Sequence, residues 1–215
     1  MKKIILICEG PTEQEFCDKV LRPHFDNLGI EIEYPIILHS NGGIVKWQHL
    51  VTQINLHHAA DSTAHITTFI DYYGIEVHHN FPDWALAHAE ADKNARMVIL
   101  EAGMKNSLNG AAQTQFIPYI QLHEFEALIL SDRTAFDRYY APEEFNAAAL
   151  TAICSNPPES VNSGRTTAPS KRLEANITVF DKVTDGAELS LLIGLTNIRA
   201  ACPRFNNWIA NLEAI

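Results

Sequence analysis

Three strand-like segments in this chain each end at or one residue before an acid. Residues 3–8 lead into Glu9, residues 65–70 into Asp71, and residues 116–122 into His123-Glu124, with Glu126 two positions on. The first is a continuous apolar run of the kind that suits a central strand of a parallel sheet, covered on both faces, and the other two read as further strands. The segments between them read mostly as helices. Pro11 suits a first helical position, Phe16, Val20, Leu21 and Leu28 recur as an apolar stripe expected in the core, and Gly29 is a natural stop. Residues 30–38 are β-rich, with Pro35 marking an edge or a bulge. Residues 44–58 form an amphipathic helical pattern, and Asp83 can cap a long helix over residues 84–102. This alternation predicts an α/β fold with a mostly parallel, four-stranded sheet flanked by helices. In such sheets the C-terminal strand ends open into one crevice, so acids from separate stretches can be delivered to one place.

Beyond Phe125 the pattern becomes mainly helical. A polar stretch over residues 155–170 reads as a mobile loop, and residues 189–212 as two closing helices broken at Cys202-Pro203. The 215 residues are therefore expected to form one domain over 1–215, with an α/β core at 1–130 and a helical extension at 131–215. Cys8, Cys17, Cys154 and Cys202 are scattered, without the tight spacing of a zinc site. No apolar run is long enough for a membrane span, and the opening apolar run stops at Glu9, too soon for a signal peptide. Reduced thiols and a cytoplasmic location are the expectation. A net charge of −10 disfavours metal-free binding to a duplex, yet leaves room for a metal site beside a local basic track.

Clustered carboxylates repel unless a cation neutralises them, and all-oxygen ligands favour Mg²⁺ or Mn²⁺ over zinc. Glu9-Gly10-Pro11-Thr12-Glu13 resembles the Glu-Gly-x-Thr-Glu motif of Toprim domains of the OLD (overcoming lysogenization defect) nuclease kind. With Phe69-Ile-Asp-Tyr-Tyr-Gly74, His123-Glu-Phe-Glu-Ala-Leu128 and Pro169-Ser-Lys-Arg-Leu-Glu174, the chain is similar to a bacterial family of Toprim-like proteins. Relatives of that family include the Toprim effector nuclease of PARIS-type anti-phage defence. The resemblance implies a Toprim-like sheet and Mg²⁺-dependent cleavage of nucleic acid, RNA or DNA, in phage defence. A partner ATPase and self-association are further expectations, and no membrane role is expected.

Carried over by residue, the resemblance makes Glu9 a metal ligand and proton acceptor, Glu13 a ligand from the first helical turn, and Asp71 the first aspartate of an Asp-x-Asp pair. Tyr73 stands where the second aspartate would be, so Glu124 or Glu126 must supply that carboxylate if a second metal binds. On a strand both glutamates share a face; on a helix they lie about 200° apart. With a helix starting at His123, Glu124 is the metal ligand, and Glu126 takes a second metal or a basic neighbour. Lys171 is the candidate for steadying developing negative charge, within a track of Arg165, Lys171, Arg172 and Lys182. Simpler roles compete: Glu13 as a helix N-terminal acid, Asp71 as a turn residue, Lys171 and Arg172 as surface charge. His57-His58 and His78-His79 read as surface histidines, since adjacent helical residues do not face one site. The alternative function is a catalytically weak Toprim-like subunit that binds metal or nucleotide and docks on an ATPase.

Overall fold

The computed structural model describes residues 2–40, 43–161, 164 and 166–215. Five parallel strands form the sheet: β1 (Lys2–Cys8), β2 (Ile30–Glu33), β3 (His65–Asp71), β4 (Phe116–Ile117) and β5 (Ile120–Gln121). Their order is β2-β1-β3-β4, with β5 also paired to β3. The position expected for one fourth strand is thus filled by two short ones. The cause is Pro118, which has no N–H for the ladder. The threonines of β3 close the gap: Thr67 Oγ1 donates to the Ile117 carbonyl at 2.5 Å, and Thr68 Oγ1 donates to that of Tyr119 at 2.8 Å. At the other edge Pro35 ends β2 early, and pairing resumes only as an isolated bridge between Cys8 and Ile36.

Side chains alternate across the strands and build a core on each face. Ile4, Leu6 and Cys8 of β1 and Phe69 of β3 enter one core; Ile5, Ile7, Ile66 and Ile70 enter the other. The second core is closed by α3 (Trp47–Ala60), α4 (Trp84–Ala89) and α5 (Lys93–Asn106), with α6 (Gly110–Gln115) leading into β4. The first is closed by α1 (Pro11–Phe16) and α2 (Arg22–Asn27), and by the C-terminal helices α7 (Glu126–Ile129), α8 (Arg133–Tyr139), α9 (Ala147–Cys154), α10 (Pro169–Asn176), α11 (Lys182–Ile193), α12 (Leu195–Ala201) and α13 (Pro203–Glu213).

Several helices differ from their sequence-based outlines. The first is interrupted by a π-helical segment at Cys17–Leu21, and Leu28, expected in the core, is half-exposed at its frayed end before Gly29, where φ is +70°. The long helix expected over 84–102 is two helices, because the Asp92 carboxylate accepts from the Ala95 N–H at 2.8 Å and starts a new one. Asp83 makes no side-chain cap and sits at φ +55°. Within residues 155–170 the Glu159 carboxylate caps α13, accepting from the Arg204 and Phe205 N–H groups at 3.0 Å each. The last stretch is broken at Gly194 (φ +80°) as well as at Cys202, giving three helices.

Phe69 binds the layers together. Its ring lies 5.2–6.4 Å from those of Phe16, Tyr119, Phe125, Phe205 and Trp208. Offset and edge-on pairs of this kind add to the burial energy of each ring. Phe69→Ala should destabilise the fold by about 3–5 kcal/mol in urea unfolding, as expected for removing a buried ring.

Candidate metal centre

Glu9 directly follows β1, Asp71 ends β3, and Glu124 lies three residues past β5. Because β1 and β3 run parallel, with Cys8 opposite Phe69, their acids emerge at the same edge. The Asp71 N–H donates to Glu9 Oε2 at 2.8 Å, tying two strand ends through a carboxylate. Glu13, buried in the first turn of α1, accepts from the Gly10 N–H at 2.9 Å, half of a capping box. Its helix-terminal role and its place among the acids are therefore the same placement.

His123 redirects the chain after β5. Its φ is +72°, rare for a residue with a Cβ, and its carbonyl accepts from the Tyr73 N–H at 2.9 Å. The helix begins only at Glu126, rather than at His123. Glu124 and Glu126 are both buried and each has its own anchor. Glu124 Oε2 accepts from the Ser170 N–H at 2.9 Å, and Glu126 Oε1 faces Lys182 Nζ at 3.3 Å.

Burial and neighbouring charge raise four of the five acids. Burial pushes the Glu9 carboxyl up to about 7; the Asp71 N–H opposes this, and Glu126 and Glu124 add to it. Burial likewise raises Glu13 to about 8, with Glu9 and Glu126 contributing. Asp71 is raised well above the carboxylate range, first by burial and then by Glu13, Glu9, Glu126 and Glu124. Burial raises Glu126 too, against the pull of Lys182. Lys182 is itself held above its ordinary value: burial disfavours its charge, but Glu126 and Glu124 outweigh that.

One oxygen of each glutamate is held by a protein donor. Asp71 Oδ1, by contrast, is buried with no hydrogen-bond partner. Buried acceptors rarely stay unsatisfied. A set of five carboxylates around such an orphan has the chemistry of a hard divalent cation site. Among the described residues, no three acidic, histidine or cysteine side chains gather closely enough to share one ion as they stand. The fit is one of donor type and unmet bonding. Two glycines keep room beside Glu9: a Cβ on Gly74 would lie 3.5 Å from Glu9 Oε1, and one on Gly43 3.9 Å.

The lysines are placed differently from expectation. Lys171 is half-exposed and pairs with Glu174 at 2.5 Å, and Arg172 Nε donates to the Thr167 carbonyl at 2.8 Å. Lys182 is the lysine set against a site carboxylate. Arg165, also expected in the basic track, lies outside the described residues. Tyr73 is exposed and brings no carboxylate.

A family model described as Domain of unknown function (DUF4276) matches residues 8–213. The chain belongs to that family. No curated protein matches it. Among solved structures it is similar to the C-terminal region of the Burkholderia pseudomallei OLD protein, at 15% identity and a TM-score of 0.48, over 98% of this chain and 97% of that one. Among the described residues no helix is long and apolar enough to cross a membrane.

The raised carboxyl pKa values set the pH dependence of the metal-free fold. A group whose pKa is higher folded than unfolded stabilises fully below its unfolded value and loses that contribution as pH rises through the folded one. In EDTA the protein should therefore lose stability between about pH 4.5 and pH 8, the interval spanned by Glu9 and Glu13. Urea melts across that range should show the decline. They should show it flattened in Glu9→Gln and unchanged in Glu33→Gln, whose carboxylate pairs with Lys3 at 2.6 Å on the exposed edge strand.

Proposed function

We propose that this protein cleaves nucleic-acid phosphodiesters, using Mg²⁺ or Mn²⁺ held by Glu9, Asp71 and one of Glu124 and Glu126, with Glu13 close behind. The observation that carries this is the buried, unpartnered Asp71 Oδ1 amid four other carboxylates at one sheet edge. Bound there, a divalent ion would polarise a phosphate oxygen and lower the pKa of an attacking water.

The chain's own residues divide the remaining work. Glu9 is the proton acceptor: Oε2 is fixed by the Asp71 N–H, and Oε1 lies in the space left by Gly43 and Gly74. Lys182, rather than Lys171, offsets the negative charge that grows on the phosphoryl group, because it is the lysine anchored at the carboxylates. Lys171 is left to the exposed flank with Glu174. A role in phage defence and docking to an ATPase follow from the motif resemblance. Tyr73 in place of a second aspartate favours the second reading, a subunit with weak or no cleavage that binds metal and serves a partner.

Nuclease assays on RNA and DNA with Mg²⁺ and Mn²⁺ separate the two. Glu9→Gln and Asp71→Asn should each lower the rate more than 100-fold, roughly the loss of an interaction of about 3 kcal/mol in the transition state. Lys182→Ala should lower kcat about tenfold or more, and Lys171→Ala should leave it near wild type. Both ions should raise the wild-type melting temperature, by mass action on the folded state. That gain should shrink in Glu9→Gln and Asp71→Asn and persist in Glu33→Gln. Metal-dependent melting without cleavage of either nucleic acid would favour the subunit.

A further inference from the structure

Beside the end of β3 lies a corner that the motifs do not mark. Tyr72 follows Asp71, and its phenol oxygen meets Arg96 Nη1 at 2.8 Å and His88 Nε2 at 3.1 Å. The rest of the Arg96 fork is spent on a neutral oxygen, the Glu90 carbonyl, at 2.7 Å from Nη2 and 3.3 Å from Nε. Among the described residues Arg96 meets no carboxylate within ion-pair distance. Lys93 lies one turn before Arg96 on α5, and the Arg96 charge adds to burial in lowering its pKa. Alongside them, exposed His88 stacks on the Trp84 indole, with centroids 3.8 Å apart and 27° between planes.

We propose that the α4–α5 corner grips single-stranded nucleic acid, with Lys93 and Arg96 on a backbone phosphate and the His88–Trp84 stack taking an unpaired base. The inference rests on the proposed cleavage and names its substrate class. Each feature answers to one part of such a ligand. A phosphate suits a cation that meets no carboxylate, and the bonds to Tyr72 and the Glu90 carbonyl hold the Arg96 charge in a fixed plane. A base adds to an aromatic stack already formed, and it can do so only where it is free of a duplex. The bond from Arg96 to Tyr72, the residue after Asp71, sets the grip at the edge where the acids lie.

The test is binding of fluorescein-labelled oligonucleotides of about 12 residues, within the usual size of single-strand sites. RNA, DNA and the matching DNA duplex are titrated in Ca²⁺, with thermal melts of every variant alongside. Wild type should bind a single strand more tightly than the duplex. His88→Ala should weaken that binding by about fivefold or more, the scale of one lost base stack. Lys93→Gln should weaken it and reduce the salt slope by about 0.7, as for one lost phosphate contact. Arg96→Lys keeps the charge without the fork and should fall between wild type and Lys93→Gln. Equal or tighter binding of the duplex by wild type would overturn the proposal. So would unchanged single-strand affinity in both His88→Ala and Lys93→Gln with wild-type melting curves, or no binding of any oligonucleotide. Single-strand binding that these variants weaken, in a protein that cleaves nothing with Mn²⁺, would uphold the grip and reject the nuclease.

Discussion

Mutual repulsion among buried carboxylates is the constraint around which this structure is organised. Burial raises the carboxyls of Glu9, Glu13, Asp71 and Glu126, and neighbouring carboxylates, Glu124 among them, raise each of these four further. Such a group of acids is unfavourable wherever water is excluded. It persists because the elements bearing it are fixed for other reasons. Two cores clamp β1 and β3, and Phe69 locks β3 to α1 and α13. The acids are further held by single donors, the N–H groups of Asp71, Gly10 and Ser170 and the Lys182 ammonium. Such an arrangement has the donor chemistry of a hard-cation site.

The fixed points reach far along the chain. Ser170 begins α10 and Lys182 begins α11, so helices distant in sequence complete the setting of Glu124 and Glu126. Gly186 lets α11 come close to α1: a Cβ there would stand 3.1 Å from Phe125 Cε1 and 3.4 Å from Thr12 Cγ2. Asp185, on the turn after Lys182, accepts from the Tyr139 and Tyr140 hydroxyls at 2.9 and 2.6 Å and from the Asp181 N–H at 2.9 Å. This buried network fixes the first turn of α11, and with it the base of the Lys182 side chain. The C-terminal helices thus contribute to the candidate centre as well as to the core.

Much of this was legible in the sequence, and the exceptions have physical causes. The strand-end acids stood out because an apolar run that stops at an acid reports both a buried strand and its exit. β1 and β3 follow their apolar runs closely for the same reason. The broken fourth strand was hidden because Pro118 is bridged by threonine side chains from β3, a repair that no local pattern encodes. The split of the 84–102 segment turned on Asp92, whose capping bond outweighed an apparently continuous helical pattern. Which of Lys171 and Lys182 meets Glu126 depended on how α10 and α11 pack, which spacing does not reveal. The Arg96 corner was invisible because it arises from a tertiary bond to Tyr72.

The central claim is that these strand-end acids hold a divalent cation, and the most direct measurement is anomalous diffraction from crystals soaked in Mn²⁺. The account predicts a peak at the C-terminal edge of the sheet, with oxygens of Glu9 and Asp71 and one from Glu124 or Glu126 at about 2.1 Å, as for a hard divalent ion. Asp71 Oδ1 should be among them, since it is the buried oxygen without a partner. Manganese bound only at exposed acids, or absent at millimolar concentration while Glu9 and Asp71 keep their present bonds, would contradict it.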